Sequence, residues 1–221
     1  MNMHFSVLLI GLVSKNNTFK RNFFSRSSMS ESQAVLDFWF KPADHPDHGK
    51  MQSYWWKKDA AFDDEIKSKF GDLITRALNG ELKEDWEKTA ESTVAHIVVL
   101  DQFARNVYRG NRLSYAGADL AISSTQKLID TGADKNLKER MRFFVYMPLM
   151  HAESLELQSK CIECYEKLNQ DINDGTDHGV EFAKKHQEVI IKYGRFPQRN
   201  EPLGRESTPE ELEYIANGGG F

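Results

Sequence analysis

Apolar residues recur at steps of three and four positions along most of this chain, and this period constrains its fold more than any other feature. One stripe passes through Phe62, Ile66 and Phe70 to Ala77. Residues at this spacing lie on one face of an amphipathic helix. Five more stripes begin at Val94, Ala118, Leu137, Leu155 and Val180. No segment of useful length alternates apolar and polar residues as a strand would, so the sequence predicts an all-α fold.

The start of a last helix is marked by Thr208-Pro209-Glu210-Glu211. Thr is a favoured N-cap, Pro is favoured at the first helical position, and a Glu three residues after the cap completes a capping box. The connections between successive stripes are short, which favours antiparallel neighbours. The helices are therefore expected to pack as antiparallel hairpins, in a bundle or a layered stack.

The length and charge of the chain narrow the class of protein further. Its 221 residues suit one domain, and no linker interrupts residues 31–221, which we expect to form a single all-α domain. With 28% charged residues and no apolar run long enough to cross a bilayer, the composition indicates a soluble protein without a membrane span. The net charge of −4 gives no basic face for nucleic acid. The oligomeric state is left open.

The first thirty residues differ in composition from the rest of the chain. They hold four Lys or Arg, six Ser and no Asp or Glu, which is typical of a mitochondrial transit peptide. We therefore expect residues 1–30 to be a targeting leader, disordered or cleaved, and the protein to reach the mitochondrial matrix. Two alternatives stay open: residues 5–13 have the length of a secretory h-region, and Met29 could start a cytoplasmic form. Removing the leader lowers the net charge from −4 to −8, since it carries four positive charges.

Arginine is concentrated in two short segments that contain no lysine. One holds Arg105, Arg109 and Arg112, and the other holds Arg195, Arg199 and Arg205. A guanidinium presents a planar fork of donors that matches a carboxylate or a phosphate, and it tolerates partial burial better than an ammonium. The two segments are therefore predicted to meet around one polar pocket that binds a small anionic ligand.

The local structure of the two arginine segments is also predictable. Asp101, Arg105 and Arg109 follow one another at steps of four, which places them on one helical face. Residues 194–205 contain two Gly and two Pro and are predicted to form an ordered, non-helical loop. An alternative stays open, because Asp101, Glu153 and Glu201 could neutralise the arginines in buried pairs and fix that loop against the helices.

Several separated blocks of the chain resemble the domain-of-unknown-function 924 family. The blocks are Leu36-Asp37-Phe38-Trp39-Phe40, Leu100-Asp101-Gln102-Phe103-Ala104-Arg105-Asn106, His186, Gly194-Arg195-Phe196-Pro197-Gln198-Arg199-Asn200 and Leu203-Gly204-Arg205-Glu206-Ser207-Thr208. They occur in the family's order over residues 31–221. The resemblance implies an all-helical, tetratricopeptide-like arrangement of the hairpins, and it implies no biochemical function because the family has none assigned.

The chain departs from the family pattern at three places. Ala104 replaces the family's usual Pro, Gln198 replaces its usual His, and His151-Ala152-Glu153-Ser154 replaces a His-Ser-Glu-Asp block. If chemistry in the family required a His at position 198 or an Asp at position 154, this chain would lack it. The Arg and Asn positions, His151, Glu153 and His186 are retained.

The candidate site residues come from these blocks. His151 and His186 are candidate catalytic residues, because a histidine can transfer protons near neutral pH; each is also typical of a structural histidine whose ring is hydrogen-bonded in the core. The candidate ligand-binding residues are Asp101, Gln102, Arg105, Asn106, Glu153, Arg195, Arg199, Asn200 and Arg205. Whether the protein is an enzyme stays open.

No metal or cofactor is predicted. Asp101, His151, Glu153 and His186 lack a recognised ligand spacing such as H-E-x-x-H. Cys161-Ile162-Glu163-Cys164 is a C-x-x-C, but it lies inside a predicted helix rather than at the helix N-terminus that lowers a thiol pKa, so both cysteines are expected in the core. No glycine-rich nucleotide loop occurs.

Two functions therefore remain. The leading hypothesis is a small carboxylate or phosphate ligand in a pocket of Arg, His and Asn side chains, with acid–base chemistry as an added option. The alternative is a tetratricopeptide-like scaffold that holds a peptide or protein in a groove between hairpins, with arginines that are purely structural.

Overall fold

The computed structural model describes residues 29–220, and all regular structure in this range is helical. This confirms the predicted all-α class. The helices are α1 (Glu31–Phe40), α2 (Ala60–Leu78), α3 (Lys83–Trp86), α4 (Ala90–Ile97), α5 (Ala104–Val107), α6 (Ala118–Thr131), α7 (Glu139–Met150), α8 (Leu155–Ile172), α9 (Val180–Tyr193), α10 (Asn200–Leu203) and α11 (Pro209–Ala216). The predicted leader and the apolar run at residues 5–13 lie outside the described residues, except for the leader's last two positions.

The ends of the helices follow local capping chemistry. At the start of α2, the Asp59 carboxylate accepts hydrogen bonds from the backbone N–H groups of Ala61 and Phe62. At the start of α11, Thr208 and Glu211 form the predicted capping box. Such caps satisfy backbone donors that have no partner inside the helix, which is why these two helix starts were readable from the sequence.

Helices α4 and α5 are joined by a π-helical segment, Val98–Phe103, into one continuous helical stretch. Asp101 lies inside this segment and pairs with Arg105, as the four-residue spacing predicts. Arg109 lies beyond the end of α5 and pairs instead with Asp63 of α2, with 3.0 Å between Nη2 and Oδ2. The prediction that Arg109 shares this helical face was therefore wrong, because the helix ends at Val107.

The core is built around α7, in which Arg142 through Met150 are all buried. This helix packs against α6 and α8, and α8 packs against α9, so successive helices are neighbours. Pro148 lies inside α7 without ending it. Packing of consecutive helices agrees with stacked hairpins, while the tetratricopeptide-like arrangement stays a prediction.

The segment at residues 194–205 differs from its prediction as a non-helical loop. It contains a 3₁₀ turn, Pro197–Arg199, followed by α10. Proline is compatible with the first turn of a helix, where its missing N–H would have no partner, so neither proline prevents these turns. Gly194 ends α9 with a φ of 70°, in the left-handed region that glycine adopts without strain.

None of the helices in residues 29–220 combines the length and the apolar character needed to cross a membrane.

His96 makes the stability of this core dependent on pH. Its ring is buried in α4, and burial lowers its pKa to about 4. An unfolded chain takes up this proton near pH 6.5, so unfolding gains a proton at any pH between the two values. The free energy of unfolding is therefore expected to fall by about 1.4 kcal/mol for each pH unit from about 6.5 down to 4 on account of this residue.

Urea titrations of the wild type and His96→Leu between pH 7.5 and 4.5 test this expectation. The variant should lose that part of the slope, because leucine does not titrate. His186, whose buried ring has its pKa lowered to about 3, contributes equally to both proteins and cancels in the comparison. Equal slopes would show that the His96 ring takes up its proton without unfolding.

Candidate functional site

A cavity of about 630 Å³ lies between α5, α7, α9 and the 3₁₀ turn at Pro197–Arg199. The two arginine segments both contribute to it, through Arg105 and Arg199. Four other predicted site residues also line it: Gln102, Asn106, His151 and His186. Gln198, which replaces the family's usual His, lines it as well. The structure thus brings together residues that are far apart in the sequence.

A buried carboxylate, that of Asp101, orients side chains that line this cavity. Asp101 is 2% exposed, and it accepts hydrogen bonds from Arg105 Nε and Nη2 at 3.2 and 3.1 Å. It also accepts one from Gln102 Nε2 at 2.6 Å and lies 2.9 Å from His151 Nδ1. Burial by itself raises the pKa of Asp101, but the neighbouring His151 and Arg105 outweigh this and hold the pKa well below its usual range. Asp101 is therefore an anion that orients three cavity side chains, those of Gln102, Arg105 and His151.

His151 is held from two sides at the end of α7. Its Nδ1 faces Asp101, and its backbone carbonyl accepts a hydrogen bond from Arg199 Nη1 at 2.9 Å. Burial, and then the charge of Arg105, lower its pKa, so the ring is neutral near pH 7. Because Asp101 can only accept, the proton of the neutral ring lies on Nδ1. Nε2 makes no hydrogen bond within residues 29–220 and is left as a proton acceptor at the cavity.

Arg199 is a buried cation whose charge is not paired. The residue is 8% exposed, and in the described part of the chain its guanidinium forms one hydrogen bond, to the His151 carbonyl, and no ion pair with a carboxylate. Burial and the charge of Arg105 lower its pKa to about 9. Its Cζ lies 4.2 Å from the ring centroid of Phe196 and 5.0 Å from that of Tyr115. The aromatic faces partly compensate the charge, and the other N–H groups remain available.

Tyr115 links the two cavity arginines. Its ring centroid is 5.4 Å from Cζ of Arg105 and 5.0 Å from Cζ of Arg199. A cation over an aromatic face is attracted by the ring quadrupole, so one ring stabilises both guanidinium groups near each other. Tyr115 was not among the residues predicted for the site, although Tyr115 lies three residues after the first arginine segment.

His186 lies next to His151, with 6.0 Å between the ring centroids. Its Nδ1 bonds to the Phe182 carbonyl at 2.7 Å, which places the proton of a neutral ring on that nitrogen. Burial, and then the charge of His151, lower its pKa to about 3. His186 is therefore neutral at physiological pH and adds no positive charge to the cavity.

The remaining predicted ligand-binding residues form a second cluster outside the cavity lining. Arg195 donates to both carboxylate oxygens of Glu211, at 2.7 and 2.8 Å, and Arg205 donates to both oxygens of Glu153, at 2.6 and 3.0 Å. Asn200 bonds to Glu211 at 3.1 Å. These are bidentate pairs of the kind that fix one segment against another, and they hold the chain on both sides of Arg199.

Much of the cavity wall is apolar, which sequence analysis did not predict. The apolar lining comes from the segment before α2, from α7 and from α9, and it consists of Met51, Trp55, Trp56, Phe143, Met147, Met150 and Phe182. The stripes that begin at Leu137 and Val180 gave no indication of which α7 and α9 residues would face a cavity. Their cavity-facing positions become visible only once the helices are packed.

The cysteines and possible metal ligands add no further chemistry to this site. Cys161 and Cys164 are buried inside α8, and burial raises the pKa of both thiols. Across residues 29–220 there is no group of three or more His, Cys, Asp or Glu side chains that could hold a metal ion.

The fold and the site define an all-α protein with a mixed cationic and apolar cavity. The chain belongs to the family described as bacterial protein of unknown function (DUF924), whose model matches residues 35–219, as the sequence blocks predicted. It is also similar to the solved structure of a protein of unknown function from Agrobacterium tumefaciens, with 36% identity, 85% of this chain and 97% of that chain covered, and a TM-score of 0.71. No curated protein matches the chain.

Proposed function

We propose that this protein binds a small anionic ligand in the cavity between α5, α7 and α9. The observation that carries this proposal is the buried guanidinium of Arg199, which within residues 29–220 has a backbone carbonyl but no carboxylate as its partner. A buried charge without a countercharge is costly. A carboxylate or phosphate in the cavity would supply that charge and accept the fork of donors that Arg199 leaves unused.

Three neighbours have supporting roles in this proposal. Asp101 neutralises Arg105 and fixes its orientation, so Arg105 can still present a donor to the ligand. Asn106, held by Asp63 at 2.7 Å, lines the same wall. The pairs of Arg195 and Arg205 lie outside the lining, and we assign them the role of holding the turn that carries Arg199.

His151 gives the proposed site its capacity for proton transfer. A neutral imidazole that is oriented by a buried carboxylate can accept a proton from a bound molecule or from water through its second nitrogen. Asp101 holds Nδ1 in this way, and it would stabilise the imidazolium formed at His151. Acid–base chemistry on the bound anion is the activity that this arrangement supports.

Arg199→Gln is expected to abolish anion-dependent stabilisation of the full chain. A ligand present at a hundred times its Kd stabilises a protein by about 2.7 kcal/mol, and losing a charge-assisted hydrogen bond costs about 1.5–3 kcal/mol of binding. Thermal unfolding in a panel of phosphate, mono-, di- and tricarboxylates, with isothermal titration of each ligand that shifts Tm, measures both effects.

Arg112→Gln is the matched control, because Arg112 belongs to the same class of segment but is exposed and lies outside the lining. It should bind the same anions as the wild type. The proposal fails if no anion in the panel shifts the Tm of the wild type while Arg199→Gln unfolds much more easily than Arg112→Gln. That result would make Arg199 structural and favour the peptide-binding scaffold.

A further inference from the structure

The cavity has a polar end and an apolar end, and two helices carry residues from one end to the other. On α7, Phe143, Met147 and His151 follow at steps of four, so they share a face. At a rise of 1.5 Å per residue, Phe143 and His151 are about 12 Å apart along the axis. On α9, Phe182 precedes His186 by one turn and lines the same cavity. From Phe143 to His151 and from Phe182 to His186, the cavity-lining residues therefore change from apolar to polar in the same direction along the chain.

The side chains at each end contact one another. At the polar end, Arg105 and Arg199 share the face of Tyr115. At the apolar end, the rings of Trp56 and Phe143 meet edge to face, with 5.8 Å between their centroids. Arg105 and Arg199 thus form a cationic cluster, and Trp56 and Phe143 form an apolar one. Charged and titratable residues also line the cavity outside the cationic cluster, namely Lys57, Lys58, Arg140, Asp177 and His178.

The apolar end is open to solvent. Trp56 is 51% exposed, Met51 is 51% exposed and Phe182 is 60% exposed, and all three line this one cavity. Exposed apolar side chains gathered beside a cavity mark a surface where a ligand or partner removes them from water. These exposed side chains line the same cavity as the buried Arg199.

The charges at the polar end set the charge of the ligand. Arg105 and Arg199 are cations, Asp101 is an anion, and the two histidine rings are neutral there. One positive charge is therefore left to compensate. A monoanion balances it, whereas a dianion would leave a negative charge uncompensated beside these largely buried groups, at a cost in free energy.

We propose that the ligand is an apolar monocarboxylate, an acyl or aryl acid. Its carboxylate binds Arg199 at the polar end, and its apolar body lies along Met147 and Phe143 toward Trp56 and Phe182. This inference rests on the proposed function and specifies its ligand class.

Isothermal titration of the full chain with butyrate, hexanoate and octanoate tests the apolar half of this inference. Each methylene that is buried tightens binding roughly fourfold, so Kd should fall along the series. Succinate and inorganic phosphate should bind at least about tenfold more weakly than hexanoate. Hexanamide, which keeps the apolar body without the charge, should also bind weakly.

Two variants separate the two ends of the cavity. Phe182→Ala, at an exposed position, should leave butyrate binding nearly unchanged and reduce the gain from butyrate to octanoate. Arg199→Gln should weaken binding of every carboxylate, and Arg112→Gln should weaken none.

The results of these titrations test the apolar monocarboxylate separately from the anion site. Equal affinity along the series, or tighter binding of succinate or phosphate than of octanoate, with Arg199→Gln still abolishing binding, would overturn the apolar monocarboxylate and keep the anion site. Binding of octanoate that Arg199→Gln does not weaken, or no binding by any anion, would overturn both.

Discussion

Asp101→Ala is expected to lower the free energy of unfolding by about 3–5 kcal/mol, which is the usual effect of removing one partner from a buried ion pair. The variant leaves Arg105 without its countercharge, and Gln102 and His151 without their acceptor. It also leaves two uncompensated guanidinium groups near the Tyr115 ring, with Cζ atoms 5.4 and 5.0 Å from its centroid. Urea unfolding at pH 7, followed by circular dichroism, measures the change.

Two further variants interpret that result. Asp101→Asn keeps the size of the side chain and some hydrogen bonding but loses the charge, so it should cost less than Asp101→Ala and remain measurable if the latter does not fold. Glu31→Gln removes the exposed partner of Arg76, at 2.8 Å in the wild type, and should cost less than about 1 kcal/mol. If Asp101→Asn were as mild as Glu31→Gln, the charge of Asp101 would not be holding the cluster together.

The predictable parts of the fold are the helices with one buried face and one solvent-exposed face. The stripe from Phe62 to Ala77 matches the buried face of α2 (Ala60–Leu78). The ends of α2 lie close to this stripe, at the N-cap Asp59 and the C-cap Asn79. Local sequence was sufficient there, since the pattern and the caps agree.

The π-helical segment could not be predicted in this way. Every residue at positions 93–104 is buried, so the apolar period that identifies a helical face is lost. The extra residue in the helical turn is a response to packing on several sides, and π segments often occur at functional sites. This segment places Asp101 outside the cavity lining but in contact with three lining residues, Gln102, Arg105 and His151. Its role therefore depended on tertiary structure.

The arginine content of the two segments did not show which arginines would line the cavity. Their use in place of lysine predicted planar contacts at partly buried positions, yet the same signal came from two different arrangements. Arg195 and Arg205 form ion pairs with Glu211 and Glu153, whereas Arg199 faces a cavity and has no such partner in the part of the chain that the structure describes. The partners lie many residues away in the sequence, so local patterns could not separate the two groups.

Trp39→Ala is expected to cost about 3–5 kcal/mol of stability, because removing a buried aromatic side chain loses its burial and leaves a cavity. Trp39 is 1% exposed, and its ring lies 5.5 Å from that of Phe144 and 5.6 Å from that of Phe103. It therefore joins α1 to the central helices. Urea unfolding of the variant, with the wild type beside it, gives the difference.

Trp56 provides the matched comparison, since it is the same side chain left 51% exposed at the mouth of the cavity. Trp56→Ala should cost less than about 2 kcal/mol of stability, while it weakens binding of octanoate more than binding of butyrate. Trp39 is thus expected to affect mainly folding stability, and Trp56 mainly ligand binding. Equal losses of stability would mean that Trp56 belongs to the core, and the apolar end of the cavity would then be a structural surface.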